Sequence, residues 1–338
     1  MKLRRQIISI FLLTACLINA QDTKIRGFAN VNSSYREQGK GAFAVGQYDN
    51  FVTSNITDRI SFLGETVFEF DEHFVLDVER VIIKYEVDNW FEIKAGKFHN
   101  PLGYWNNAYH HGTLIQPTIS RPDAVKFEDE GGILPIHLTG LWLSGHDIGK
   151  LKFGYDLALS NGIGANHYVA DDNDNKAITA GLHIKPLDKL EIGVSGYSDR
   201  LNRFESNVVS GDTLKSPISI AQGAFHIAYL GSKFEFIAED HYILHSYGLP
   251  VKQDATTNAL FAYFGYRIND KVTPYFLYDN IDFGKNDTYF NGLTNQKFTL
   301  GIRYAFNYLA NLKLEFCRQE IVNVKPMHVA TLSFAIGF

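Results

Sequence analysis

The residues of this chain whose types could do chemistry gather in residues 96–135, which read GKFHNPLGYWNNAYHHGTLIQPTISRPDAVKFEDEGGILP. Lys97, Arg121 and Lys126 stand there against Glu128, Asp129 and Glu130, opposite charges that would set a field across any narrow passage containing them. His99, His110, His111 and His137 invite a metal reading. The adjacent pair lacks the helical or CxxC-like spacing of a ligand set, however, and neither a metal nor any other cofactor is expected. The run ADDNDNK offers Asp171, Asp172 and Asp174 with Asn173 and Asn175 as hard oxygen ligands for Ca²⁺. It lacks the sixth-position glycine and closing glutamate of an EF-hand loop, and a hydrated loop is the better reading. Ser160 and the scattered histidines permit a hydrolase without indicating one, since neither GxSxG nor HExxH occurs.

The elements that must position these residues are strands. Residues 96–135 carry four of the nine prolines (Pro101, Pro117, Pro122, Pro135) and so cannot donate a continuous ladder. The same segment holds Tyr104, Trp105, Tyr109, Leu114 and Ile115, too apolar to stand free in water, so it must pack against something. Elsewhere apolar and polar residues alternate with period two. Leu332, Phe334, Ile336 and Phe338 oppose Thr331, Ser333, Ala335 and Gly337; Phe298, Leu300, Ile302 and Tyr304 oppose Lys297, Thr299, Gly301 and Arg303. Between Phe74 and Val87 the outward set changes parity, which predicts a β-bulge near Glu79-Arg80.

Connection lengths turn these strands into a fold. Tight turns at 88–89, 146–149, 186–189, 231–232, 269–270 and 307–310 alternate with long polar loops at 96–135, 161–175, 200–217, 246–255 and 284–295. That rhythm of consecutive hairpins, with strands of about 10 residues, is the pattern of an all-β, antiparallel up-and-down transmembrane barrel. The expected count is sixteen strands, centred from Ala29 to Phe334, with fourteen and eighteen as neighbouring counts. A barrel so wide cannot be filled by its own side chains and encloses water. The faces assigned inward carry both signs, among them Arg59, Glu65, Glu69, Lys94, Glu235, Glu239, Arg267, Lys297 and Arg303. Mixed signs suit a general diffusion pore more than a strongly ion-selective one. The alternative is that these charges pair and close the lumen.

Residues 1–20 are expected to be a signal peptide, with Lys2, Arg4 and Arg5 ahead of an apolar run at 7–18 and Ala20 as the cleavage residue. A rival reading takes Leu13-Thr14-Ala15-Cys16 as a lipidation box. Removal of the leader takes three basic residues with it and moves the net charge from −5 to near −8, which argues against a nucleic-acid partner. Only Cys317 then remains, so no internal disulfide can form. No composition shift divides residues 21–338, which read as one barrel domain.

Gly96-Lys97-Phe98-His99-Asn100-Pro101-Leu102-Gly103, directly after a strand, resembles the Gly-basic-Phe-x-x-Pro-apolar-Gly signature of Gram-negative barrels similar to the phosphate-selective porin O and P family. Ser160-Asn161-Gly162-Ile163-Gly164 resembles a second recurrent stretch of such proteins, and Phe338 looks like the terminal aromatic signal read by the outer-membrane assembly machinery. The resemblance implies a sixteen-stranded, often trimeric, passive channel. The phosphate-selective members line their pore with basic residues; the inward faces here are mixed in sign, so no phosphate-binding residue is carried across.

The sequence thus leads to an outer-membrane porin for small hydrophilic solutes or ions, in contact with membrane lipid, whose segment 96–135 folds into the lumen. The six charges of that segment are expected at the constriction; the alternative is a solvated external loop whose charges do little. The alternatives are an outer-membrane enzyme of lipase type and a structural or adhesive barrel with a closed lumen.

Overall fold

The computed structural model describes residues 22–338 apart from 38, 40, 71–73, 110–111, 128–131, 164–172, 202–216, 249–252, 285–286, 288 and 291. The expected leader, Cys16 included, lies outside the described residues. Sixteen strands form a closed antiparallel barrel in which each pairs with its chain neighbours and the first pairs with the last. In order they are β1 (Asp22–Arg36), β2 (Ala42–Asn55), β3 (Ile60–Phe70), β4 (Phe74–Asp88), β5 (Phe91–His99), β6 (His137–Ile148), β7 (Phe153–Ser160) and β8 (Ala177–Leu187). The second half comprises β9 (Leu190–Leu201), β10 (Ile218–Leu230), β11 (Phe234–Tyr247), β12 (Gln253–Tyr266), β13 (Val272–Phe283), β14 (Asn295–Asn307), β15 (Ala310–Ile321) and β16 (Met327–Gly337).

Closure leaves the sheet without an edge, so its backbone hydrogen bonds are met within the ladder, as a spanning structure in lipid requires. At the seam Phe338 exchanges both main-chain bonds with Gly27, each 2.9 Å, and its ring stacks on Tyr48. The alternation sorts as the sequence indicates: Leu300 is 62% exposed on the outer wall and Thr299 is 1% exposed inside. Trp90, Phe234 and Tyr308 crowd the short-turn end of the outer wall, where an aromatic girdle belongs. The bulge falls at Glu79, because Glu65 pairs with Arg80 while Thr66 already pairs with Val78. Val78 and Val81 can therefore both face outward, each 40% exposed, while Glu79 stays buried.

Several boundaries differ from the sequence reading by a few residues. Gly96, Lys97, Phe98 and His99 belong to β5, so the irregular segment runs over residues 100–136. The β6–β7 turn lies at 149–152 rather than 146–149, because Gly149 and Lys152 take the left-handed conformations that reverse the chain, with φ of 67° and 47°. Arg59 and Arg267 sit just beyond strand ends rather than in the wall.

Candidate functional site

The interior is organised by the point where β5 leaves the wall. Its pairing with β4 stops at Val81–Lys97, whereas its pairing with β6 continues to His99–His137. Gly96 makes the departure possible: its φ is +130°, and a Cβ there would stand 1.8 Å from the Val81 carbonyl oxygen. Only glycine fits.

From Asn100 the chain crosses the barrel. The Thr179 hydroxyl donates to the Asn100 side-chain oxygen at 2.7 Å, and the Gly103 N–H donates to Ser195 Oγ on β9 at 3.0 Å. A single helical turn, α1 (Trp105–Ala108), follows. Its first N–H donates to Glu239 of β11 at 2.5 Å, and the Trp105 ring meets Phe261 edge-on at 5.5 Å. The Gly112 N–H then donates to Gln47 of β2 at 3.2 Å. On β15, the Lys313 ammonium donates to the carbonyls of Thr113, Gln116 and Thr118, while Glu315 accepts from the N–H groups of Ile119 and Ser120 and from the Ser120 hydroxyl. A 3₁₀ turn at Asp123–Val125 ends the crossing. There the Asp123 N–H donates to Asp279 of β13, and its carboxylate accepts from Lys297, Asn295 and Lys126. Burial raises the pKa of Asp123, but Lys297 and Lys126 outweigh it and hold the carboxyl below its ordinary value. Leu102, Trp105, Ile133, Leu134 and Ile136 pack with the inward Ile220, Ile243 and Phe261 into one apolar core inside the barrel. A segment bonded to β2 and β15 on one side of the ring and to β9 and β11 on the other spans the lumen.

A second segment turns in beside it. Asp287, between β13 and β14, accepts from the hydroxyls of Thr257 (2.8 Å) and Tyr247 (3.1 Å) and from the N–H groups of Tyr289 and Phe290 (3.2 Å each), with His245 Nδ1 at 3.0 Å. Burial works to raise its pKa; the bonds from His245, Thr257 and the Phe290 N–H prevail and lower it. Tyr289 and Phe290 are buried against His245.

The charges expected at a constriction separate. Lys126 is in the crossing, 2.7 Å from Asp123. Arg121 is there too, but its guanidinium is engaged by the carbonyls of Val125 and Tyr109 and lies over the Phe127 ring at 4.3 Å. Lys97 stands in the β5 wall and donates to the Val78 carbonyl at 2.7 Å. Glu128, Asp129 and Glu130 lie outside the described residues, as do His110, His111, Asp171 and Asp172. Of the wall set, Glu65 accepts from Arg80, and Glu235 binds both Arg267 and Arg303. Lys94 bonds Ser144 and Glu92, and Glu69 pairs with Gln47 in the ladder. Arg59 belongs to the β2–β3 turn and lines a surface hollow there with Lys84 and Glu86. His99 and His137 meet edge-on at 5.8 Å, with His137 2.6 Å from Glu79. Sequence reasoning missed Asp123, Asp279 and Asp287. The apolar pair Tyr289-Phe290 in an otherwise polar loop was the available sign of the inward turn.

No family model and no curated protein matches the sequence. Solved structures do match in fold. The anion-selective porin from Comamonas acidovorans is 10% identical, with a TM-score of 0.69 over 94% of this chain and 100% of its own. OmpF of Salmonella typhi is 12% identical, at 0.68 over 94% and 97%. The trimer form of OmpT, an outer-membrane protein of Vibrio cholerae, is 12% identical, at 0.67 over 95% and 100%. The chain thus shares the fold of these porin barrels; the likeness does not single out the phosphate-selective O and P family.

Proposed function

We propose that the protein is a passive outer-membrane channel for small hydrophilic solutes or ions, narrowed by residues 100–136. The observation that carries this reading is the crossing itself. A barrel of sixteen strands encloses more space than its side chains fill, and the crossing takes up part of it while cavities of about 260 and 340 Å³ remain beside the segment, lined by charged groups. Glu235, Arg267 and Arg303 border the smaller, and Asp156 and Glu191 the larger. Charges tolerated there are met by water or by one another, since Lys or Arg against lipid at mid-depth would cost roughly 2 to 4 kcal/mol each. The constriction charges in this reading are Lys126, Arg121, Asp123 and Lys297, with residues 128–130 as further candidates.

The reading includes export by residues 1–20, insertion through the β16 strand ending in Phe338, and residence in the outer membrane of a Gram-negative bacterium. A homotrimer accords with the trimer form of the Vibrio cholerae barrel. A closed-lumen structural barrel is the competing reading, favoured by the number of interior charges already paired. Purified protein in a planar bilayer decides between them. Stepwise conductance with a reversal potential under a salt gradient supports the channel, silence supports the closed barrel, and phospholipid hydrolysis would favour the lipase-type enzyme.

A further inference from the structure

Beneath α1, in the short-turn half of the interior, the 340 Å³ cavity opens between the crossing segment and strands β6 to β10. Its size is that of a small-molecule site. Among the described residues the lining carries the carboxylates of Asp156 and Glu191, the imidazoles of His183 and His226, and the rings of Tyr104 and Trp142, but no lysine or arginine. Some interior acids are matched by fixed cations, as Glu235 is by Arg303 and Arg267. Asp156 instead accepts from Trp142 Nε1 at 2.9 Å and stands 3.8 Å from His183, with no lysine or arginine in ion-pair contact among the described residues. The flanking cations are already engaged, Lys94 by Glu92 at 3.1 Å and Lys185 by Glu191 at 3.5 Å.

The backbone makes room for this arrangement. His183 lies over Gly154, where a Cβ would be 2.1 Å from its Nε2, and His226 lies over Gly193, where a Cβ would be 2.4 Å from its Cε1. Each imidazole is thereby seated over the neighbouring strand. His226 is 6% exposed, and among the described residues neither ring nitrogen has a hydrogen-bond partner, although Nε2 lies 3.3 Å from Glu191. A buried ring nitrogen without a partner is costly unless something supplies one. The Tyr104 ring sits 5.7 Å from it.

We propose that this cavity binds a small organic cation, a protonated amine or guanidinium on an apolar stem, that enters from the lumen; the proposal rests on the channel reading for its route of access. The ligand's N–H groups would satisfy Asp156, Glu191 and the vacant His226 nitrogen, while Tyr104 and Trp142 flank the stem. Trp142 already takes a cation on its ring, with the Lys94 ammonium 3.8 Å from the centroid. An anion would face two carboxylates, and a neutral sugar would leave Asp156 without a cationic partner beyond His183.

The test is calorimetric titration of the full-length detergent-solubilised protein with putrescine, with glucose and succinate as the neutral and anionic probes. Putrescine should bind, and both Asp156→Asn and Asn107→Lys should weaken it at least tenfold. Asn107 is an exposed residue of the lining, so its substitution puts a competing cation in the cavity without touching a wall pair. Binding of glucose or succinate as tight as that of putrescine, or putrescine binding unchanged in N107K, overturns the proposal. A silent bilayer together with intact putrescine binding removes the channel and leaves the site; conductance without putrescine binding removes the site and leaves the channel.

Discussion

The crossing segment and the β13–β14 connection both turn into the barrel, but they are held in opposite ways. Residues 100–136 are tied separately to β2, β9, β11, β13, β14 and β15, by main-chain bonds as well as ion pairs, and share an apolar core with the wall. Among the described residues, most side-chain hydrogen bonds of the β13–β14 connection converge on one carboxylate, Asp287. Distributed anchoring tolerates the loss of any one contact, because its neighbours keep the segment in place; concentrated anchoring does not. Position also matters. The crossing has its own exit from the wall at Gly96, whereas the shorter segment departs from a strand that keeps its ladder to Phe283.

The largest expected effect comes from removing the distributed segment outright. Deleting residues 106–130 should raise single-channel conductance several-fold and weaken ion discrimination in a planar bilayer, and an unchanged channel would place the constriction elsewhere. Next is the exit. Gly96→Ala forces both a strained φ and a collision with the Val81 carbonyl, on the order of 3 kcal/mol or more. The yield of heat-modifiable folded barrel on unheated gels should fall accordingly.

Asp287→Ala comes third. It leaves the Thr257 and Tyr247 hydroxyls and the Phe290 N–H without this acceptor, a local loss of about 3 kcal/mol. Limited proteolysis should then cut the β13–β14 connection while the crossing stays protected. Acid tests the same anchor. Because folding lowers the Asp287 pKa, its contribution is complete above the ordinary carboxylate value near ~4 and is lost as pH falls through the lowered one. Protection of the connection should hold between about pH 7 and 5 and fail only below about 4. The smallest effect is expected for Lys297→Met, since Asp123 keeps Lys126 and Asn295. A cost of roughly 1 kcal/mol, with the crossing still protected, would sustain the contrast, and release of the crossing by this one change would abolish it.

Much of the wall was legible in the chain. Alternation at Phe298–Tyr304 and Leu332–Phe338 fixes which side meets lipid, because a strand offers only two faces, and the parity change before Val81 locates the bulge at Glu79. The site was less legible. Lys126 could be placed in the crossing from sequence, but Arg121 is engaged by the segment's own carbonyls and Lys97 by the wall, and nothing local distinguishes those outcomes.

Sequence by itself determined the strands, their hairpin order, the two faces of the ribbon and the presence of one apolar segment that could not be a strand, because each depends on neighbours a few residues apart. Tertiary structure alone decided where that segment goes and which charge meets which. The partners of Lys313, Glu315 and Lys297 in the crossing are more than 170 positions away in the chain, so their pairing exists only once the barrel has closed.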